Sequence, residues 1–229
     1  MIDIVKVPLS DDRTINTRSA PSVILNQMRH VWGNETDKPM DNYTVYEWDT
    51  WKTMESSNKV IFLGGDHSIP LSTFPKTKAS RLVVFDSHFD LYGSIDKPFH
   101  GNWLKVLIER NIVKPCNITV LGVRAWDKTE LAYAREKGIE YVLFDCPSSV
   151  KISDEPTYLS IDIDVIDPAY APGTGYMEPG GWSSRNLLDI VKTFCNNNII
   201  AMDIVEVDPT RDFNDMTSKL AAKVIKEFL

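Results

Sequence analysis

Short apolar runs recur along the chain, each closed by a polar, glycine-containing or proline-containing stretch. Residues 1–7, 43–48, 60–63, 81–85, 117–123, 140–144, 158–163 and 198–205 are too short for core helices. Their enrichment in Val, Ile and Phe predicts strands, most of them buried on both faces. Helical spacing fills the intervals. Pro21 opens a helix with Val23, Ile24, Gln27, Met28 and Val31 at the right period. Residues 68–74 make a short helical turn expected to stop at Pro75. Residues 103–111 turn Leu104, Leu107 and Ile108 inward, and residues 128–137 form a helix with Gly138 as its C-cap. Ser183 and Ser184 can cap a helix to about Cys195, and Asn214 or Asp215 one running to Leu229. Residues 10–20 and 33–42 read as loops. Strand and helix alternate throughout, which predicts an α/β fold with a mainly parallel, doubly wound sheet of seven to eight strands.

At 229 residues, without a repeat, the chain is expected to be one domain spanning 1–229 with a large core. The net charge of −7 argues against nucleic acid as a partner, because phosphate binding needs a basic footprint. An acidic chain mildly favours a cationic substrate. Three cysteines, Cys116, Cys146 and Cys195, are odd in number and widely spaced, so reduced thiols and a cytoplasmic location are expected. Residues 1–7 read as a strand and not as a signal peptide. No run approaches the ~20 apolar residues of a membrane span.

Chemistry collects at the strand ends. The run ending Leu159-Ser160-Ile161-Asp162-Ile163-Asp164 delivers two aspartates that share a face if the strand continues, about 6.6 Å apart. Such a pair either caps loops or surrounds a cation. Arg81–Phe85 runs into Asp86-Ser87-His88-Phe89-Asp90, and residues 60–63 run into Gly64-Gly65-Asp66-His67-Ser68. A lone histidine at a strand end is ordinarily a hydrogen-bonded structural residue. Three strands ending in carboxylate and imidazole groups are different, because a parallel sheet places its ligand site at the strands' carboxyl ends. Six oxygen and nitrogen donors, with no cysteine among them, suit two divalent ions better than one structural zinc.

These stretches, with the Ala171-Pro172-Gly173-Thr174-Gly175 tail and Met202-Asp203-Ile204-Val205-Glu206-Val207-Asp208-Pro209, resemble the arginase/agmatinase (ureohydrolase) family in order and spacing from about residue 60 to 212. The resemblance implies that family's eight-stranded sheet, two Mn²⁺ ions (iron, cobalt or zinc being possible occupants) and a homo-oligomer, trimer or hexamer. It implies that His67, Asp86, Asp90 and Asp162 hold one ion and Asp86, His88, Asp162 and Asp164 the other, with Asp86 and Asp162 bridging. A bridging hydroxide, oriented by Asp90, would attack the guanidinium carbon and release urea and an amine. Glu206 resembles the glutamate that pairs with the guanidinium, and His100 the histidine that carries a proton to the leaving amine; a plain strand-end carboxylate and a helix-opening histidine are the alternatives. Trp182, Tyr92 and Tyr170 are candidates for the pocket wall, while Asp66, Asp167 and Asp203 read as supporting or turn aspartates.

Tyr92 stands where arginases resemble one another in an asparagine, and residues 93–99 lack the Ser/Asn set that holds an amino-acid end. This favours a small cationic guanidino substrate such as agmatine. Arginase, guanidino-acid hydrolase and formiminoglutamase-like activities are the alternatives, with Asp96 and Lys97 the residues to watch. A non-catalytic metal-binding subunit is the rival of another class.

Overall fold

Eight strands form in the expected places and pair, all parallel, into one sheet of order β2-β1-β3-β8-β7-β4-β5-β6. They are β1 (Ile2–Val7), β2 (Tyr43–Glu47), β3 (Lys59–Gly64), β4 (Arg81–Phe85), β5 (Ile118–Val123), β6 (Glu140–Leu143), β7 (Thr157–Asp162) and β8 (Ile199–Val205). The helices are α1 (Ala20–Gln27), α2 (Trp48–Trp51), α3 (Pro70–Thr73), α4 (Trp103–Glu109), α5 (Lys128–Lys137), α6 (Ser184–Cys195) and α7 (Met216–Phe228). This computed structural model describes residues 1–35, 41–147, 154–195 and 198–229. Residues 36–40 of the expected 33–42 loop lie outside them.

Alternation along each strand divides the core in two. Ile61 and Leu63 of β3 and Val83 and Phe85 of β4 face one layer, where Ile24 of α1, Leu187 and Phe194 of α6 and Val224 of α7 cover them. Val60, Phe62, Leu82 and Val84 face the other, against Trp51 of α2, Leu104 and Leu107 of α4 and Ala134 of α5. Both faces are therefore sealed, as the unbroken apolar runs require. Each such side chain contributes about 1.5–3 kcal/mol on burial.

Three local readings need correction. Pro75 does not stop the turn that begins at Pro70; the chain runs on as a 3₁₀ turn, Phe74–Lys76, with proline in its first residues, where no backbone N–H is needed. Neither Asn214 nor Asp215 caps α7 through its side chain, since both adopt left-handed backbone. Asp212 does so instead, accepting from the Thr217 and Ser218 N–H groups at 2.9 and 2.8 Å. Trp48 belongs to α2 and not to β2. Helix α5 matches its expected bounds, with a capping box at Asp127/Glu130 and Gly138 left-handed at φ 69°.

Candidate metal centre

Four adjacent strands, β3-β8-β7-β4, end on the same side of the sheet, so loops far apart in sequence meet there. Extended-strand alternation is not what gathers their side chains. Strand β7 ends at Asp162, and Asp164 lies in a 3₁₀ turn, Ile163–Val165, which the Asp162 side chain caps: Asp164 N–H donates to Asp162 Oδ1 at 2.8 Å. Strand β4 ends at Phe85; His88 N–H donates to Asp86 Oδ1 at 2.6 Å and Asp90 turns left-handed at φ 53°. Each aspartate thus satisfies an amide released by the end of its strand and bends the next residues inward. Glu206, just past β8, is also left-handed, at φ 62°. At Gly65 a Cβ would sit 2.0 Å from the Leu9 carbonyl oxygen, so glycine is dictated by backbone contact with the loop after β1.

The six expected ligands converge. His67 Nδ1 has Asp86 Oδ2 at 2.9 Å, Asp90 Oδ2 at 3.1 Å and Asp162 Oδ2 at 3.1 Å. His88 Nδ1 has Asp164 Oδ2 at 3.1 Å and Asp86 Oδ1 at 3.4 Å. The two oxygens of Asp86 therefore divide between two clusters, His67/Asp86/Asp90 and Asp86/His88/Asp164. Asp162 joins the first through Oδ2, while its Oδ1 accepts the Asp164 amide and so faces the turn that carries the second cluster's Asp164.

A chain of hydrogen bonds sets the His67 tautomer. Tyr158 O–H and Ser160 Oγ–H donate to the buried Asp203, at 2.6 and 2.7 Å. With its proton so used, Ser160 Oγ accepts from His67 Nε2–H at 3.0 Å. The Nδ1 lone pair then faces three carboxylate oxygens, and both His67 Nδ1 and Asp86 Oδ2 are buried without a hydrogen-bond partner. Buried polar atoms rarely stay unpaired, and lone pairs converging on one point call for a cation or a shared proton there. Oxygen and imidazole donors fit divalent manganese-type ions, so the residues fit the group the resemblance implies.

Charge repulsion marks the cluster. Burial, then the charge of Asp86, pushes Asp90 up to about 7. Burial, then Asp164 and Asp86, drives Asp162 well above the carboxylate range. Burial also raises Glu206. One Glu206 oxygen accepts the His67 N–H at 2.8 Å, and the other, Oε2, is buried and unpartnered.

A cavity of about 400 Å³ opens over the clusters, walled by His88, Asp90, Tyr92, His100, Tyr176 and Glu178 among others. His100 is nearly buried, with Nδ1 3.2 Å from Asp11 Oδ2. The 91–99 loop borders the cavity through Tyr92 and Phe99. Asp96 and Lys97 do not line it; they border an adjoining depression that shares Arg13, Tyr92 and Phe99 with it. Trp182 packs into the core against Phe85, and Tyr170 lies in a surface groove on another side, so neither walls the site. Asp66, Asp203 and Asp167 hold loops and hydroxyls, as expected.

Several site residues escaped the sequence reading. Trp103 donates Nε1–H to Asp90 Oδ2 at 2.6 Å. Arg124 donates to the carbonyls of Asp164, Val165 and Glu178 at 2.6, 3.0 and 2.7 Å, stapling the Asp164 turn. Glu130 accepts from the Leu91 and Asp127 amides. Arg13 lines the cavity, 3.0 Å from Asp11 and stacked 4.5 Å from the Phe99 ring. For Glu130 alone a signal existed, the D-x-x-E spacing from Asp127.

The Arginase family profile matches residues 10–229. An agmatinase of Bacillus cereus is 33% identical over 190 residues, covering 78% of this chain and 65% of its own length. A formimidoylglutamase of Bacillus subtilis is 34% identical over 186 residues, 72% of this chain and 58% of its own length. The matched part is thus less than two thirds of either relative. Among solved structures, formimidoylglutamase from Bacillus subtilis superposes with a TM-score of 0.89 at 26% identity, covering 99% of this chain and 85% of that one. Proclavaminate amidino hydrolase from Streptomyces clavuligerus shares the fold, with a TM-score of 0.86 at 23% identity and coverage of 99% and 90%.

Proposed function

The chain belongs to the arginase family, and from that premise we propose that it hydrolyses a C–N bond of a linear guanidino compound with a cationic tail, agmatine or a close analogue, giving urea and an amine. The observation that carries the reading is the pair of clusters that share Asp86. His67, Asp86, Asp90 and Asp162 would hold one Mn²⁺ and Asp86, His88, Asp162 and Asp164 the other. Bound divalent ions supply Lewis acidity that brings the pKa of water toward neutrality.

The remaining steps fall to the chain's own side chains. Glu206 Oε2, buried and unpartnered, is a ready acceptor for a guanidinium N–H, and a charged acceptor matched to that planar fork binds strongly. Asp90, fixed by the Trp103 N–H, orients the attacking water. His100 sits on the cavity wall and would carry the proton to the departing amine. Tyr176, tilted against His100 with ring centroids 5.6 Å apart, excludes bulk water from that side. A homo-oligomer belongs to the same proposal, supported by the exposed Trp32, Tyr170 and Met216 around one apolar groove, and sedimentation velocity tests it.

Tail chemistry separates two readings. Glu178 and Asp127 at the cavity wall favour an amine tail, and the charge of Arg13 is answered by Asp11 and Phe99. Arg13 is nonetheless the one described cation lining the cavity besides its histidines, and it favours the second reading, an amidine with a carboxylate tail. Urea release from agmatine, arginine and guanidinobutyrate, with ammonia and formamide release from formiminoglutamate, decides between them in Mn²⁺-loaded protein. Agmatine should give the highest kcat/KM. A preference for arginine, or turnover confined to the carboxylate-tailed compounds, would sink the first reading.

A further inference from the structure

We propose that Asp11 is a positioning residue for His100: its Oδ2 holds the imidazole in the Nδ1–H tautomer and thereby leaves Nε2 unprotonated at the cavity. A carboxylate has no proton to give, so the 3.2 Å contact between Asp11 Oδ2 and His100 Nδ1 has the ring as donor. No described residue hydrogen-bonds His100 Nε2, which is the remaining polar atom of a ring on the cavity wall. A neutral histidine in water favours no such arrangement without a partner on the other nitrogen, and the partner decides which nitrogen does chemistry.

Asp11 is built into place and does not simply lie near the ring. Its own N–H donates to Asp66 Oδ2 at 2.7 Å, and Thr14 Oγ1 lies 2.9 Å from the same oxygen. Asp66 is fully buried and accepts the Ser68 N–H through its other oxygen, so it ties the 10–14 loop to the turn that carries His67. Asp11 Oδ1 accepts the N–H groups of Arg13 and Thr14, at 2.8 and 3.2 Å. That division of labour leaves Oδ2 for His100 and the Arg13 guanidinium at 3.0 Å. The charged groups facing His100 are Asp11, Asp66 and Arg13, its ring contacts are Phe99 and Tyr176, and His88 and Glu178 stand elsewhere on the wall of the same cavity. Burial raises the Asp11 carboxyl, but the backbone N–H and the guanidinium of Arg13 hold it below its ordinary range, so the acceptor is ionised near neutral pH.

The rate consequence rests on the proposed role of His100 as proton carrier; the tautomer does not. The decisive variant is Asp11→Asn. Its Oδ1 keeps both backbone donors, so the loop stays anchored, but its amide N–H₂ now points at His100 Nδ1 and demands a lone pair there. The tautomer should invert, much as replacing the aspartate of a catalytic triad inverts its histidine. Nitrogen chemical shifts of ¹⁵N-histidine-labelled full-length protein, loaded with diamagnetic Zn²⁺, read the tautomer directly. The chain has four histidines, and His100→Gln assigns the signal. Wild type should show Nδ1–H and Asp11→Asn should show Nε2–H, while Asp11→Glu, which keeps a carboxylate, should retain Nδ1–H. In the Mn²⁺ enzyme Asp11→Asn should lower kcat by about 10²-fold with little change in KM, and Asp12→Asn, an exposed neighbour, should behave as wild type. Persistence of Nδ1–H in Asp11→Asn, or its absence from wild type, overturns the proposal. Inversion without a fall in kcat supports the hold of Asp11 on the ring and overturns the reading of His100 as proton carrier.

Discussion

His67 presents one ring nitrogen to three carboxylate oxygens because Ser160 and Asp203 have already spent the other. That chain makes Ser160 separable from the ligands themselves. Ser160→Ala removes the acceptor for His67 Nε2–H, frees the ring to take the wrong tautomer, and should weaken metal affinity by about 10–100-fold. Equilibrium dialysis with metal analysis measures it; wild-type affinity in that variant would mean that the His67 tautomer is fixed by something else. Glu206 calls for the opposite signature. Glu206→Gln leaves all six ligands in place but offers the substrate an uncharged amide. Loss of a charge-assisted hydrogen bond of about 1.5–3 kcal/mol predicts a fall of roughly 10- to 150-fold in kcat/KM. Metal content should be unchanged. A fall in bound metal equal to the fall in activity would reassign Glu206 to the metal site.

At the scale of elements, strands and long helices are legible because their signals are local. Strand β3 is an apolar run closed by Gly64-Gly65, and α5 begins at Asp127 and stops at Gly138 through contacts within a few residues. The turns that shape the site are not legible in this way. The aspartates were identifiable as candidate ligands from the motif, yet alternation put Asp162 and Asp164 on one strand face, whereas a capped 3₁₀ turn brings them together. The Arg124 staple crosses 40 residues to the Asp164 carbonyl, and no local pattern announces it. The tie between the 33–35 segment and α6 is similarly non-local: Glu35 meets Arg185 at 2.7 Å and Lys192 at 2.6 Å. Hydrogen bonds from these two cations pull Glu35 from 4.5 down to about 2. A depressed carboxylate stabilises the fold fully above its unfolded pKa, and that gain is lost as pH falls from 4.5 toward 2. Because the pair is solvent-exposed, Glu35→Gln should cost no more than about 1 kcal/mol at pH 7. Denaturant titrations at pH 7 and pH 3 should show the gap narrowing with acid; a gap that is constant with pH would show that the ion pair contributes nothing through its charge.

Across the whole molecule, the property least visible in the sequence is the strand order. The chain visits β3, β4, β7 and β8 with two further strands between, and only the sheet makes β3-β8-β7-β4 contiguous. What the sequence could announce was that several strands end in carboxylates and histidines, and a parallel sheet turns that repetition into one site. The same convergence has a thermodynamic consequence. Folding gathers Asp86, Asp90, Asp162 and Asp164 within the two clusters, all of them buried, in a chain that already carries a net charge of −7. Without cations these carboxylates repel one another or must take up protons, and an unfolded chain has neither cost. A divalent ion that binds the folded state alone adds about 2.7 kcal/mol at one hundred times its dissociation constant. For a chain of this size each kcal/mol moves the melting temperature by roughly 2–4 °C, so saturating Mn²⁺ should raise Tm of chelator-stripped protein by about 5–10 °C for each ion bound. Asp86 supplies an oxygen to each cluster, and Asp86→Asn should therefore abolish most of that rise while its stripped form melts at or above the stripped wild type, one charge having left the repulsive group. Differential scanning calorimetry with and without Mn²⁺ tests both halves. A wild-type Tm that does not respond to Mn²⁺, or an Asp86→Asn protein that responds as fully as wild type, would remove the cation site from the centre of the sheet edge and the proposed hydrolysis with it.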